Sequence, residues 1–506
     1  MSLEIECGWT LLRAITVSLI ATPLAAVLAR GLETGSPRQR RRRLLALAIP
    51  FLTPGFVVGY AYSNITLDLV RQPVLNELFY DLLLLIGIVP VGTLVLLLAP
   101  PAPLGPTADW CRRLAGPDRL RRVAACGWPR GFWYGPARNR VPAFGLMALL
   151  VFHEFEIASL FRVIAGQRLT PASWSNALFE LIALQSLGQQ SPWDLWRSGW
   201  LPLTCSLCLL APLLVLAWTS RRNPGVWRPT GMTRQSHWRE WVVSSWLVMA
   251  VAVGTAIPLG NLVLDGVPGW SSAWRGGHRL GPTLIHAGRS LLPTVVIAVV
   301  AAVSAGWLLR RRHLGLLVVL SLPGLMGSLS LGLLLTWALL ITAPGGFGHS
   351  IVALIIGQSL WLLPRAALLV VLLAVLPRRE SMHLSRLLQH APPGPQRIAG
   401  WRMVWQNFGH RAAWMVGLLC WWGYLELTLN ELLAPPQWLS VAHRMYQQMH
   451  FGRNAALSST TLVVVLVPLV VVCLLVALGR MMPVPTIFAG SRPAPGTLSN
   501  PPPGDA

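Results

Sequence analysis

Four glutamates lie inside otherwise apolar stretches of this chain: Glu154, Glu156, Glu426 and Glu431. A charged side chain deep in hydrocarbon costs about 2.5–3.5 kcal/mol on insertion scales, so each must face protein or water. Two kinds of chemistry suit Glu154 and Glu426. Lining a path, the pair would attract a hard, oxygen-preferring cation such as Fe(III). Bound to helix ends or to an arginine at the outer rim, they would instead hold the shape of a gate. Glu156 and Glu431 fall near the outer interface, where the second role fits better. His153 adjoins Glu154, but neighbours on a helix point to different sides and would not share one metal. His443 and His450 stand two helical turns apart and could share a face. Contact with a partner at the outer surface suits them better than a metal, and no metal site is expected.

The cations and helix-breaking residues carry the rest of the chemistry. Arg13, four residues after Trp9, is expected to snorkel outward. Arg365 follows Pro364 in mid-span, where it could pair with a carboxylate or meet an anionic ligand. Pro54-Gly55 and Pro323-Gly324 each remove a backbone donor and a side chain from an apolar run. Such positions kink helices and admit close packing, so both are expected to flank a path and bend as it opens. Pro and Gly are also ordinary in membrane helices. Of the seven cysteines, Cys205 and Cys208 make a CxxC within an apolar run. Thiols packed as small apolar groups are expected there, and no disulfide framework is evident.

The elements that must position these groups follow from composition. Of 506 residues, 54% are hydrophobic and 12% charged; a soluble chain carries about 25% charged residues. The apolar residues come in runs of bilayer length, and backbone groups inside a bilayer must be satisfied within helices. Eleven spans are expected, near 9–29, 44–66, 82–99, 141–161, 199–218, 240–263, 286–309, 314–342, 350–376, 413–433 and 458–479, in an all-α polytopic membrane protein. Met1 to Cys7 carries Glu4 and Glu6 rather than a basic region, so the first run is expected to be an uncleaved helix.

All 41 basic residues are arginine. Without lysine the chain has neither the phosphate-binding loop of an ordinary ATPase nor Schiff-base chemistry. Thirty of the arginines fall within 30–43, 112–140, 221–239, 310–312, 378–411 and 480–506. Placing these segments in the cytoplasm satisfies the positive-inside rule at every span, with the N-terminus outside and the C-terminus inside. The formal net charge of +23 is thus a topology signal, and no nucleic-acid partner is expected.

Landmarks recur at one offset. Pro54 and Pro323 are 269 residues apart, Glu154 and Glu426 272, Ser173 and Ser440 267. This spacing indicates a duplicated, fused unit. An even number of spans separates the copies, so they would be parallel repeats about an axis along the membrane normal. The first half covers 1–238 with five spans and the second 239–480 with six. A tail, 481–506, rich in Pro, Gly and Ser, is expected to be disordered. The outer connections 162–198 and 434–457 each hold a short helix, expected at 176–187 and 441–450.

Glu426-Leu427, Leu432-Leu433-Ala434-Pro435-Pro436, Leu439 through Tyr446, and His450-Phe451-Gly452 together resemble the permease subunits of iron(III)-type ABC importers. The paired Pro-Gly helices and the Arg-rich loop before each Glu-bearing helix fit the same family, over roughly 9–479. The resemblance implies a type I importer permease, not an enzyme, with two fused halves. It implies an ABC ATPase dimer on the cytoplasmic side and a periplasmic binding protein that delivers the ligand, iron(III) first. It also implies location in the inner (plasma) membrane and no cofactor of its own, since the partner subunit uses the ATP. His443, Arg444, Tyr446 and His450 would meet the binding protein. Two cytoplasmic loops would dock on the ATPase, through Ala124, Ala125, Gly127, Arg130 and Phe132 in the first and Arg386, Leu387 and Leu388 in the second. Arg119 and His383 stand where the family has a glutamate in these loops. A permease with altered coupling, or an ion-coupled secondary transporter, are the alternatives.

Overall fold

The computed structural model describes residues 3–34, 36–98, 140–163, 173–178, 199–210, 237–264, 280–311, 313–342, 350–375, most of 384–405, most of 409–451 and most of 456–470. Among them every regular element is helical. In order these are α1 (Leu3–Thr34), α2 (Pro37–Leu52), α3 (Gly55–Asp68), α4 (Pro73–Leu98), α5 (Arg140–Phe152), α6 (Glu156–Val163) and α7 (His237–Val251). Then come α8 (Leu280–Arg310), α9 (Leu314–Leu325), α10 (Ser328–Thr342), α11 (Ile351–Val375), α12 (Pro395–Val404), α13 (His410–Leu425), α14 (Thr428–Leu433) and α15 (Val441–His450). Residues 174–178 and Gly199–Leu210 are also helical.

Local sequence explains several boundaries. Ser36 opens α2 with a capping box: its hydroxyl accepts the Gln39 N–H at 3.3 Å, and the Gln39 side chain accepts the Ser36 N–H at 3.1 Å. Pro37 and Pro395 occupy first turns, where a missing N–H costs nothing. The apolar stretch Trp238–Leu264 runs on from α7 through one wider π turn at Ala252–Ala256.

Five described helices are long and apolar enough to cross a bilayer: Leu3–Leu32, Pro73–Leu97, Trp238–Leu264, Gly281–Arg310 and Ile351–Val370. Two bent pairs, Arg38–Leu52 with Gly55–Ser63 and Gly315–Leu325 with Ser328–Leu339, raise this to seven if each is one span. Gly199–Leu210 and Ala412–Leu425 are apolar but shorter. The run at 141–161 is not one helix but two, α5 and α6. The chain is therefore all-α with the helices of a multi-pass membrane protein.

α1 packs along α4 and α5, and α8 packs along α11. Small residues make this possible. Ala14, Ser18, Ala21, Ala25 and Ala29 form a buried stripe on α1, and Ala298, Ala301, Ala302 and Ala305 one on α8. A Cβ on Gly92 of α4 would lie 2.4 Å from the Met147 Sδ of α5 and 3.2 Å from Ala25. A Cβ on Gly423 of α13 would lie 2.6 Å from Thr294 of α8 and 3.3 Å from Leu362 of α11. Arg43 of α2 donates to the Gly31 carbonyl at 2.9 Å and pairs with Glu240 of α7, tying three helix ends together.

The described residues within Arg378–Arg411 belong to a second unit. Within it, the turn at Leu388–Gln389 lies directly on Gly400 of α12, where a Cβ would meet the Gln389 nitrogen at 2.7 Å.

Candidate functional site

Both mid-chain glutamates sit where a helix breaks. α5 ends at Phe152 and α6 begins at Glu156; α13 ends at Leu425 and α14 begins at Thr428. The Glu154 carboxylate accepts the N–H groups of Ile157 and Ala158 and the Tyr80 hydroxyl, the last at 2.7 Å. The Glu426 carboxylate accepts the Leu429 N–H at 2.7 Å and the Thr428 hydroxyl at 2.9 Å. Each is a carboxyl cap that takes up donors left over in the first turn, at the positive end of the helix dipole. Sequence reading treated 141–161 and 413–433 as through-running spans and missed both breaks.

The carbonyls freed by the breaks are also used. Phe152 O accepts the Trp174 indole N–H at 2.7 Å, and Glu154 O accepts the Ser175 hydroxyl at 3.2 Å. Glu426 O accepts the Asn430 side-chain amide. The short helix at 174–178 and α15 begin alike. Ser173 Oγ accepts the Asn176 N–H at 3.3 Å, and Ser440 Oγ the His443 N–H at 3.1 Å. Thr10 of α1 accepts the Trp174 N–H at 3.1 Å while donating to the Glu6 carbonyl. Ser290 of α8 accepts the Val441 N–H at 3.0 Å while donating to the His286 carbonyl.

The two Pro-Gly pairs lie beside these breaks. The chain bends by 71° between α2 and α3 and by 98° between α9 and α10. The first bend falls at Thr53-Pro54, and Gly55 starts α3. The second differs from expectation. Pro323 and Gly324 are inside α9, and the turn is made at Gly327, whose φ of +90° favours glycine. Gly324 serves close packing instead: a Cβ there would stand 2.2 Å from the Leu360 carbonyl of α11. Pro364, which has no N–H to give that carbonyl, leaves it open to this approach.

Each bend meets a break. α3 packs on α6, and α10 on α14. The Glu156 carboxylate lies against the backbone of Gly55 and Phe56 at the start of α3. Ser328, at the start of α10, shares a 3.0 Å hydrogen bond with Thr428. Glu156 is within electrostatic reach of both Glu154 and Glu426. It belongs to this web, against the start of α3, in the helix-end role that sequence reading favoured for it. No three His, Cys, Asp or Glu side chains among the described residues are arranged to hold one metal ion.

The two arginines behave differently. Arg13 does not snorkel: it is buried, 2.6 Å from Glu77 and 3.8 Å from Asp81, with its guanidinium over the Tyr80 ring. Arg365 is equally buried, but among the described residues it donates only to its own Trp361 carbonyl at 2.7 Å and stacks on that ring. Among the described residues its Nε has no acceptor, and Glu426 is within electrostatic reach without an ion pair. His153 bonds Ser206 at 2.9 Å and lies against Gly327.

Of the expected partner-facing residues, His443 pairs with Glu431, and Arg444 and Tyr446 are half-buried. Burial, and then the nearby Glu431, raise the Tyr446 phenol above its ordinary range. The helix expected at 441–450 is α15, which also holds His450. Ala124, Ala125, Gly127, Arg130 and Phe132 lie outside the described residues, as do Arg386 and the tail from 481. Leu387 is exposed, and Leu388 is half-buried against Gly400. No family model, curated protein or solved structure matches this chain.

Proposed function

We propose that the chain is the transmembrane permease of a binding-protein-dependent ABC importer, two parallel, fused halves around one path. The observation that carries this reading is the doubled web at the helix breaks. Glu154 and Glu426 cap the helices that follow them. Thr10 with Trp174, and Ser290 with Val441, make the same contact. α3 with α6, and α10 with α14, are the same pairing. Equivalent contacts between residues some 270 positions apart are what a duplication leaves behind. Eleven spans, the inner membrane and an outside N-terminus belong to the same proposal. Two contacts support the topology. Cys7 and Cys205 meet near the starts of α1 and Gly199–Leu210, both assigned to the outer side. Arg43 and Glu240 meet where both are assigned inside.

The ligand that the resemblance names is iron(III), delivered by a periplasmic protein that would rest near Arg444, Tyr446 and His450. An ATPase dimer would dock on the 112–140 and 378–411 loops. The deciding experiment is affinity purification of the tagged chain from its own membranes in mild detergent. Recovery of a pair of ABC ATPases per chain supports the proposal. A chain that emerges alone, even after crosslinking, counts against it. One observation favours a second reading, ion-coupled transport: Glu156 shares its surroundings with two further carboxylates, a setting in which a proton can be held. Uptake by vesicles that lack ATP would then persist.

A further inference from the structure

Cys7 and Cys205 are 198 residues apart in sequence, yet their sulfurs are 3.8 Å apart. Cys7 is fully buried in α1, Cys205 is half-buried, and Cys208, one turn on, is exposed. At 1.5 Å per residue, Cys7 lies about 6 Å from the start of α1 at Leu3, and Cys205 about 9 Å from Gly199. In the topology proposed above, Leu3 and Gly199 both lie toward the outer side, which puts the two thiols near that face, within reach of a water-soluble oxidant.

The helix that carries Cys205 occupies a particular place. Next to Cys205, Ser206 bonds His153 at the α5–α6 break. A Cβ on Gly199 would lie 2.3 Å from Met326, at the α9–α10 turn. Leu203 and Leu210 pack with Leu149 of α5 and Leu325 of α9. Gly199–Leu210 thus touches α1, the α5–α6 break and the α9–α10 bend.

We propose that Cys7 and Cys205 are a reversible redox site, and that their disulfide fastens α1 to this bridging helix and holds the α5–α6 break and the α9–α10 bend in the arrangement described here. The oxidant is a disulfide, either a small thiol disulfide or a thiol–disulfide oxidoreductase on the outer side. The Cys205 thiolate, the more accessible of the two, attacks one sulfur of the oxidant, forms a mixed disulfide and releases one thiol. The Cys7 thiolate then attacks the Cys205 sulfur and expels the second thiol. Two cysteine thiols lose two electrons and two protons, and the oxidant disulfide becomes two thiols. The effect on transport rests on the permease reading; the disulfide itself does not.

The test uses the full chain in intact cells exposed to oxidised glutathione, which does not cross the membrane, followed by alkylation and peptide mass spectrometry. Peptides bearing residues 7 and 205 are expected joined, two hydrogens lighter, and separable by reductant. Cys7→Ser and Cys205→Ser each abolish the link; Cys208→Ser retains it. Two thiols that stay alkylatable, or a link that joins Cys205 to Cys208 instead, overturn the assignment. A link that forms only after the membrane is opened overturns the outer-face placement. Uptake of ferric iron is expected to be lost in the linked protein and restored by reductant; equal uptake in both states overturns the lock. If the reduced protein takes up nothing either, the permease reading fails, and the cross-link result stands apart from it.

Discussion

Glu154 serves three donors at once, and that makes a residue-scale prediction. Glu154→Ala removes the acceptor of the Tyr80 hydroxyl and strands two backbone N–H groups, each worth about 1–3 kcal/mol when buried without a partner. The variant should unfold at clearly lower temperature in detergent, whereas Glu154→Gln, which keeps an acceptor oxygen, should lose less. Replacing Glu154 and Glu426 together by Gln should lower uptake with assembly intact; undiminished uptake would remove both from the path. Arg365 predicts the opposite pattern. A buried guanidinium with a single carbonyl acceptor stabilises little, and an apolar replacement of such a charge is often neutral or stabilising. Arg365→Leu should leave thermal stability equal or higher while uptake falls. A loss of stability with normal uptake would make it a structural residue. The landmark residues were legible in the sequence because carboxylates and Pro-Gly pairs are rare in apolar runs. Their partners were not. Arg13 finds Glu77 across 64 positions, and the sequence around Glu154 does not announce that this glutamate caps a broken helix rather than faces a pore.

At the scale of elements, apolar length identified helices well and boundaries poorly. The long runs near 9–29, 82–99, 240–263, 286–309 and 350–376 contain single helices of bilayer length. Hydropathy averages over a window, so a three-residue break at His153–Phe155 leaves no mark on it. Glu426-Leu427-Thr428 did carry a signal, an acid and a hydroxyl just before a new helical turn, of the kind that marks N-termini in soluble proteins. The two bends should differ in tolerance. Gly55→Ala displaces only the Glu156 carboxylate, 2.8 Å from the added carbon, and should be mild. Gly324→Ala pushes α9 off the backbone of α11, and Gly327→Ala adds a methyl 2.7 Å from Trp174 at a left-handed φ. Both of these should lower the yield of folded protein in size-exclusion chromatography far more than Gly55→Ala. Equal behaviour of all three would mean that the helices slide freely at these points.

For the whole molecule, the uneven spread of arginine gives the most direct prediction. A cysteine label at residue 230 should react only after the membrane is permeabilised, and labelling from outside intact cells would overturn the topology. The helix breaks also bear on how such a chain could enter a membrane at all. A continuous helix brings every hydrogen-bond partner with it, but α5–α6 does not. Its Phe152 and Glu154 carbonyls are answered by Trp174 and Ser175, some twenty residues further along. A nascent chain stopped before residue 173 would hold those carbonyls bare against lipid, at several kcal/mol each. The segment should remain in the translocation machinery, or slip back, until the tryptophan has been made. Truncations ending near 170 should therefore be extracted from membranes by alkali, and those extended past 178 should resist it.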